Sequence, residues 1–135
     1  MKAWSDRSIL KSLPNPETRG YEVKIKNPEV TFLGVRGQPD FAIFYITFYP
    51  RDTVIELKSL KVYFYQFRME VLSYERLINV VYEDLIAVYN PVRLRIVAIF
   101  SVRGGMDAKV TIDSDWSIRG GEENFKDWIG QQEEW

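Results

Sequence analysis

The residues that could do chemistry in this 135-residue sequence are acids, lysines, arginines and tyrosines, because it contains no histidine and no cysteine. Zinc sites with imidazole or thiolate ligands, Ser-His-Asp triads and Cys-His pairs are therefore excluded within these residues. Proton transfer would fall to Asp, Glu, Lys or Tyr, whose pKa values must be shifted by their surroundings to work near neutrality.

Asp40 is the first candidate, in the segment Gly-Gln-Pro-Asp-Phe-Ala at 37–42. The segment follows a loop and leads into an apolar run at 41–49 with aromatic and β-branched residues, which predicts a strand covered on both faces. The structural alternative for Asp40 is a turn residue that follows Pro39.

Glu56 and a set of cations form the second candidate group. Thr53 and Glu56 have the spacing of a capping box, which predicts that a helix begins at Thr53. Apolar residues then recur three and four apart on one helix face: Leu57, Leu60, Phe64, Phe67 and Val71. A neighbouring face carries Lys58, Lys61, Tyr65 and Arg68. The alternative to a ligand site is a Glu that only completes a cap beside a row of solvated cations.

Glu75 is the third candidate, in the first turn of a second predicted helix. Ser73 is the expected N-cap, and Asn90-Pro91 is expected to end the helix near Tyr89. The first turn of a helix favours a carboxylate electrostatically. A surface Glu that stabilises the helix dipole is the alternative.

The remaining patterns complete an α+β domain at 21–113. A strand is predicted at 21–32 with an interruption at Asn27-Pro28, and a hairpin at 94–112 turns across Arg103-Gly104-Gly105. Residues 1–20 are expected to be an irregular arm, and residues 114–135 an acidic and aromatic tail. The order ββααββ predicts a four-stranded antiparallel sheet with two helices on one face, whose other face and edges need partners.

The 37–42 segment and the phrase Glu-Leu-Lys-Ser-Leu-Lys-Val-Tyr at 56–63 together resemble the signature of the QueF family. Phe67-Arg68, Tyr74-Glu75 and Val102–Gly105 extend the similarity. QueF proteins are NADPH-dependent reductases that convert the nitrile of 7-cyano-7-deazaguanine into an aminomethyl group in queuosine biosynthesis, a tRNA modification pathway. The resemblance implies a T-fold, in which several ββααββ sheets close into a homo-oligomeric barrel, a decamer of two pentamers, with ligand pockets between subunits.

The same resemblance implies site residues. Asp40 matches the proton donor, and the family's nucleophilic Cys falls at Leu33 without gaps or at Gly34 with a one-residue deletion. Neither side chain can attack a nitrile, which accepts hydride poorly until it becomes a thioimide. An engineered replacement and natural divergence both remain open as explanations.

Ligand contacts are implied as well, with no metal. The substrate-binding positions are Ile55, Glu56, Leu57, Tyr74 and Glu75. The NADPH-binding positions are Leu57, Lys58, Arg103 and Gly104. A carboxylate such as Glu75 can accept hydrogen bonds from a ring N–H and an exocyclic amine in parallel, as a guanine-like edge presents them. Tyr74 stands where the family commonly has His.

These observations predict a QueF-like protein that binds a 7-deazaguanine, with nitrile reduction as the family activity and no thiol to begin it. One alternative is metal-free pterin or purine chemistry in which Glu75 holds the ring and Lys58 or Lys61 acts as base. Another is a non-catalytic oligomer. Because the net charge is −1 and no signal peptide or membrane span is evident, we expect a cytoplasmic protein without a nucleic-acid partner.

Overall fold

The protein structure, a computed structural model, describes residues 3–115. Six strands and two α-helices follow one another along the chain: β1 Ser12–Pro14, β2 Val23–Leu33, β3 Pro39–Tyr49, β4 Thr53–Ile55, α1 Leu57–Tyr65, α2 Tyr74–Tyr89, β5 Arg93–Arg103 and β6 Met106–Asp113. Short 3-10 turns occupy Arg7–Ile9 and Gln66–Met69. The predicted tail lies outside the described residues from position 116 onward.

Four of the strands form one antiparallel sheet in the order β2-β3-β5-β6, and both helices pack on one of its faces. Alternate residues of β3 and β5 face the helices and are almost fully buried: Ala42, Phe44, Ile46, Phe48, Leu94, Ile96, Ala98 and Phe100. Removing this apolar surface from water is the main stabilising contribution, at about 25 cal/mol per Å². The α+β fold with helices on one face is therefore confirmed.

The residues that the structure describes cover the other face of the sheet only partly. Val97 and Thr47 are buried there, but Phe41 is 49% exposed. Within residues 3–115 the prediction that 41–49 is covered on both faces is therefore wrong at Phe41, over which no layer of these residues packs.

The capping box at Thr53 is also wrong. Thr53 lies in β4 and pairs with Pro14 of β1. Glu56 is itself the N-cap: its carboxylate accepts the Ser59 N–H at 2.6 Å, and Ser59 Oγ donates to the Glu56 carbonyl at 2.7 Å. Long-range pairing with the arm holds 53–55 extended, so the helix begins three residues later than the local spacing predicts.

The first helix is also shorter than predicted. It ends at Tyr65 and continues as the 3-10 turn, after which Val71 bridges to Leu33 of β2. The Leu33 N–H donates to the Glu70 carbonyl at 2.9 Å, which draws the chain out of the helix. Leu57, at the start of α1, and Val71, beyond its end, are 60% and 47% exposed rather than buried.

The second helix and the last hairpin agree with their predictions. Ser73 Oγ accepts the Arg76 N–H at 3.1 Å, and Asn90 ends α2 in the left-handed conformation at φ 43°. The hairpin turns through Gly104 and Gly105 at φ 58° and 80°, a conformation that suits glycine. The register of β2 against β3 shifts between Asn27 and Val30, where the predicted interruption lies.

The arm is more ordered than predicted, because a buried acid ties it to both helices. Asp84 on α2 is 2% exposed and accepts hydrogen bonds from Ser5 Oγ at 2.5 Å, Tyr63 OH at 2.5 Å and Arg7 Nε at 2.9 Å. Burial, and then the bond to Asp84, raise the pKa of Tyr63. Tyr63 is therefore a neutral donor that joins α1 to α2.

Candidate functional site

A tight loop between β2 and β3 places the first candidate residue. The Gly34 N–H donates to the Gln38 carbonyl at 2.7 Å, and the Gly37 N–H donates to the Gly34 carbonyl at 2.7 Å. Gly37 has φ 80°, which a side chain would strain. The loop therefore delivers Asp40 as the second residue of β3, on the buried face of the sheet.

Asp40 is a buried carboxylate surrounded by donors. It is 1% exposed and accepts the Phe41 N–H on Oδ1 and the Tyr74 hydroxyl on Oδ2, both at 2.9 Å. Arg103 Nε lies 3.4 Å from Oδ1, while Arg103 Nη2 donates to the Pro39 carbonyl at 2.5 Å. These contacts offset the cost of burying the acid and show that it is not a simple turn residue.

Tyr74 is held in place by aromatic packing. Its ring stacks on Phe100 with centroids 4.0 Å apart and planes 9° apart, and Phe32 meets both rings edge-on. Burial, followed by the hydrogen bond to Asp40, raises the pKa of Tyr74. The phenol therefore stays protonated near neutrality and donates to Asp40.

A cavity of about 210 Å³ opens beside these groups. Its lining consists of Gly34, Val35, Gln38, Asp40, Leu72, Ser73, Tyr74 and Glu75. Three predicted site residues, Asp40, Tyr74 and Glu75, thus line one space, and no lysine or arginine is among the lining residues. Pockets that bury drug-sized ligands are about 300–1,000 Å³, so this one suits a small bicyclic ligand or needs a wall from another chain.

The two candidates for the nucleophile position differ in whether they line the cavity. Gly34 is buried and lines the cavity, whereas Leu33 does not line it. The Leu33 N–H donates to the Glu70 carbonyl and the Leu72 N–H donates to the Leu33 carbonyl, each at 2.9 Å. A Cβ added to Gly34 would overlap the carboxamide of Gln38, with Cδ at 2.8 Å, so the Gln38 side chain fills the space that a larger residue at 34 would take.

The predicted contacts at 55–58 lie elsewhere in the chain. Ile55 is buried in the core, Glu56 is occupied as the helix cap, and Leu57 lines a groove of about 310 Å³ with Ile25 and Lys26. Ile25 and Lys26 pair with residues five and six positions beyond Asp40 on β3. At about 3.4 Å per residue, the part of the groove at Ile25 and Lys26 is roughly 17–20 Å from Asp40 along the sheet.

The predicted cofactor residues are divided between these two places. Lys58 is exposed at the start of α1, and Lys61 lines the groove. Arg103 and Gly104 lie at the hairpin tip near Asp40, and the Arg103 guanidinium contacts Asp40 and Pro39. One chain therefore does not bring all the predicted ligand residues to one site.

Two further properties concern residues 3–115. They contain no group of three or more acidic, His or Cys side chains placed to hold a metal ion. No helix among them has the length and apolar character needed to cross a bilayer.

Comparison with known proteins identifies the family. The family model described as QueF-like protein matches residues 39–121. The chain belongs to the QueF family. The match begins just after the loop that contains Gly34, so both candidate nucleophile positions precede it.

Curated relatives in the QueF family are named NADPH-dependent 7-cyano-7-deazaguanine reductase. The Magnetococcus marinus protein is 41% identical over 114 residues, which cover 83% of this chain and 89% of the relative. The Thermomicrobium roseum protein is 39% identical over 104 residues, which cover 76% of this chain and 81% of the relative. The Acidithiobacillus ferrooxidans protein is 44% identical over 103 residues, which cover 76% of this chain and 72% of the relative.

A solved QueF-like structure supports the fold. The crystal structure of the archaeosine synthase QueF-Like in the apo form matches with a TM-score of 0.59 and 16% identity, covering 73% of this chain and 95% of that chain. At this identity the match concerns the fold alone, the T-fold that the family resemblance implied.

Sequence reasoning missed several residues of the QueF-like cavity. Gln38 lies inside the recognised segment but received no role, although its proximity to Asp40 was a usable signal. Phe100, which supports Tyr74, was identified only as a strand residue, and Leu72 and Ser73 enter the lining because α2 begins beside the loop. Contacts between distant segments leave no periodic signal.

Proposed function

We propose that this QueF-like chain binds a 7-deazaguanine, with the ring edge at Glu75 and the 7-substituent at Asp40. The supporting observation is that Asp40, Tyr74, Glu75 and Gly34 line one cavity. Glu75 is exposed, and its carboxylate has no hydrogen-bond or ion-pair partner among the described residues. It is thus available to accept the two parallel donors of a guanine-like edge.

A second copy of the chain completes the site in this proposal. None of Ile55, Glu56 and Leu57 lines the cavity of Asp40. Leu57 lines the groove with Ile25 and Lys26, which pair five to six residues beyond Asp40 on β3, roughly 17–20 Å along the sheet. The partly open sheet face and the edges at β2 and β6 provide surfaces for self-association. A homo-oligomer that brings one chain's α1 to another chain's cavity would unite both sets. The barrel of ten subunits remains a prediction from the resemblance.

NADPH binding is proposed on the names of the relatives and on exposed cations. When bound, the nicotinamide supplies hydride. Lys58 and Lys61 fit phosphate groups, since both are exposed and neither has an ion-pair partner within residues 3–115. Arg103 fits less well as found, because its guanidinium is engaged by Pro39 and Asp40.

We propose further that the chain binds its ligand without reducing a nitrile by the family route. The thiolate that makes the nitrile carbon electrophilic is missing, and the cavity position available to it is Gly34, beside the Gln38 carboxamide. Pterin or purine chemistry with a lysine base is not favoured, because the curated relatives are named 7-cyano-7-deazaguanine reductases. A cytoplasmic location remains a prediction from the sequence.

Thermal-shift titration tests the ligand, because a ligand that binds only the native state raises the melting temperature. We expect 7-cyano-7-deazaguanine or its 7-substituted relatives to stabilise the chain more than guanine or neopterin. Glu75→Gln should remove that difference, while Glu83→Gln, an exposed acid on the same helix, should not. Unchanged affinity in Glu75→Gln would refute the pocket assignment. NADPH oxidation at 340 nm with the nitrile present should stay at background; turnover would refute the proposal that reduction is lost.

A further inference from the structure

We infer that the cavity selects a 7-deazaguanine whose 7-substituent is a protonated amine over one whose substituent is a neutral nitrile. This inference rests on the proposed function and concerns the end of the cavity that receives the substituent. Three groups define that end: the Asp40 carboxylate, the Tyr74 hydroxyl and the Gln38 carboxamide.

The hydrogen-bond inventory of this end favours a donor on the ligand. Three donors contact Asp40 and are already committed to it: the Phe41 N–H, the Tyr74 hydroxyl and the Arg103 guanidinium. What remains for a ligand is mostly acceptor capacity: further lone pairs of the carboxylate, the lone pairs of the Tyr74 oxygen and the Gln38 carbonyl oxygen, beside the Gln38 NH₂ group as a donor. An ammonium group has three N–H donors to place on them.

A nitrile has the opposite requirement. Its nitrogen only accepts, so it would face carboxylate lone pairs. The side-chain donors of the lining that are not bound to Asp40 are the Gln38 NH₂ group and the Ser73 hydroxyl, at the start of α2. The residue that could convert it to a different species is absent, since Gly34 has no side chain. A buried acceptor that meets another acceptor loses its hydration without replacement.

Charge points in the same direction. Asp40 and Glu75 are the ionisable acids of the lining, and no basic residue lines the cavity. Arg103, which does not line the cavity, offsets the charge of Asp40 alone: its Nε lies 3.4 Å from Asp40 Oδ1, and its side chain is 47% exposed. A primary alkyl amine is protonated at neutral pH, as the lysine side chain is. The amine therefore adds the positive charge that the lining lacks.

Calorimetric titration of the full chain with four ligands tests this inference: 7-aminomethyl-, 7-hydroxymethyl-, 7-cyano- and unsubstituted 7-deazaguanine. The hydroxymethyl ligand matches the amine in size but carries no charge. We expect the amine to bind at least tenfold more tightly than the nitrile and the hydroxymethyl compound. Asp40→Asn should reduce the amine's advantage to less than threefold, whereas the exposed control Asp107→Asn should leave it intact.

The outcomes separate the two proposals. If the ring binds but the nitrile equals or exceeds the amine, the selectivity inference is refuted and the proposed function stands. If none of the four ligands binds, the proposed function itself fails. Should Asp40→Asn not fold, the ranking of amine against hydroxymethyl in the unmodified chain still decides, because equal affinities would exclude a role for the charge.

Discussion

Restoring a thiol at position 34 is the sharpest test of how this chain departs from its family. Gly34 lines the cavity with Asp40, whereas Leu33 does not. We therefore expect Gly34→Cys, and not Leu33→Cys, to form a covalent thioimide with 7-cyano-7-deazaguanine. In that step the sulfur bonds to the nitrile carbon, and the nitrile nitrogen takes up a proton.

The structural cost of Gly34→Cys should be small. Gly34 does not have a positive φ, so its backbone accepts a side chain. The new Cβ overlaps only the Gln38 carboxamide, the far end of an exposed side chain that can move. Overpacking costs about 1–3 kcal/mol, and we expect the lower end here, a fall of about 4 °C in melting temperature. Gly34→Cys/Gln38→Ala removes the overlap and should recover that loss.

The chemistry sets the pH dependence of the reaction. An ordinary thiol has a pKa of about 8.5, so roughly 3% is thiolate at pH 7 and half at pH 8.5. The rate of adduct formation should rise roughly fifteenfold over that range, and further if the carboxylates nearby raise the pKa of the thiol. Mass spectrometry of the intact protein measures the adduct as a gain equal to the ligand's mass.

Two results would refute this reasoning. An adduct on Leu33→Cys with none on Gly34→Cys would show that the ungapped alignment is right and that the cavity is not the nitrile site. An adduct that forms equally fast with Val35→Cys, which also lines the cavity, would show nonspecific reactivity.

Three other predictions concern stability and the cavity. Asp84→Ala should lower the free energy of unfolding by about 3 kcal/mol, because it leaves the buried Tyr63 hydroxyl without its acceptor. Urea denaturation measures this loss, and a loss under about 1 kcal/mol would contradict this account of the arm. Tyr74→Phe keeps the stack on Phe100 but removes a donor from Asp40, so we expect a loss of about 1 kcal/mol and weaker ligand binding, with Tyr65→Phe, an exposed residue, as control. Burial raises the pKa of Tyr89 to about 12, so the folded protein holds the phenol proton more tightly than the unfolded chain does. The contribution of Tyr89 to the free energy of unfolding should therefore be intact below pH 10 and fall between pH 10 and 12, by about 1.4 kcal/mol per pH unit. Tyr89→Phe should flatten that slope.

The sequence by itself determined the elements whose signals are local. α2 begins and ends where Ser73 and Asn90 predict, since capping depends on groups within one helical turn. The hairpin at Gly104-Gly105 follows from residues that tolerate positive φ. The recognised segments also led to the family and to Asp40, Tyr74 and Glu75, because residue types at fixed spacing carry that resemblance without any knowledge of contacts.

Only the tertiary structure decided what distant segments do to one another. Thr53 became a strand residue because β1 pairs with it, and Asp84 became a buried junction because Ser5 and Arg7 arrive beside it. Gly34 rather than Leu33 faces the cavity because β2 is bound to Glu70 and Leu72. Such partners are separated by tens of residues, and a contact between them is selected by the packing of the whole core, which local spacing does not encode.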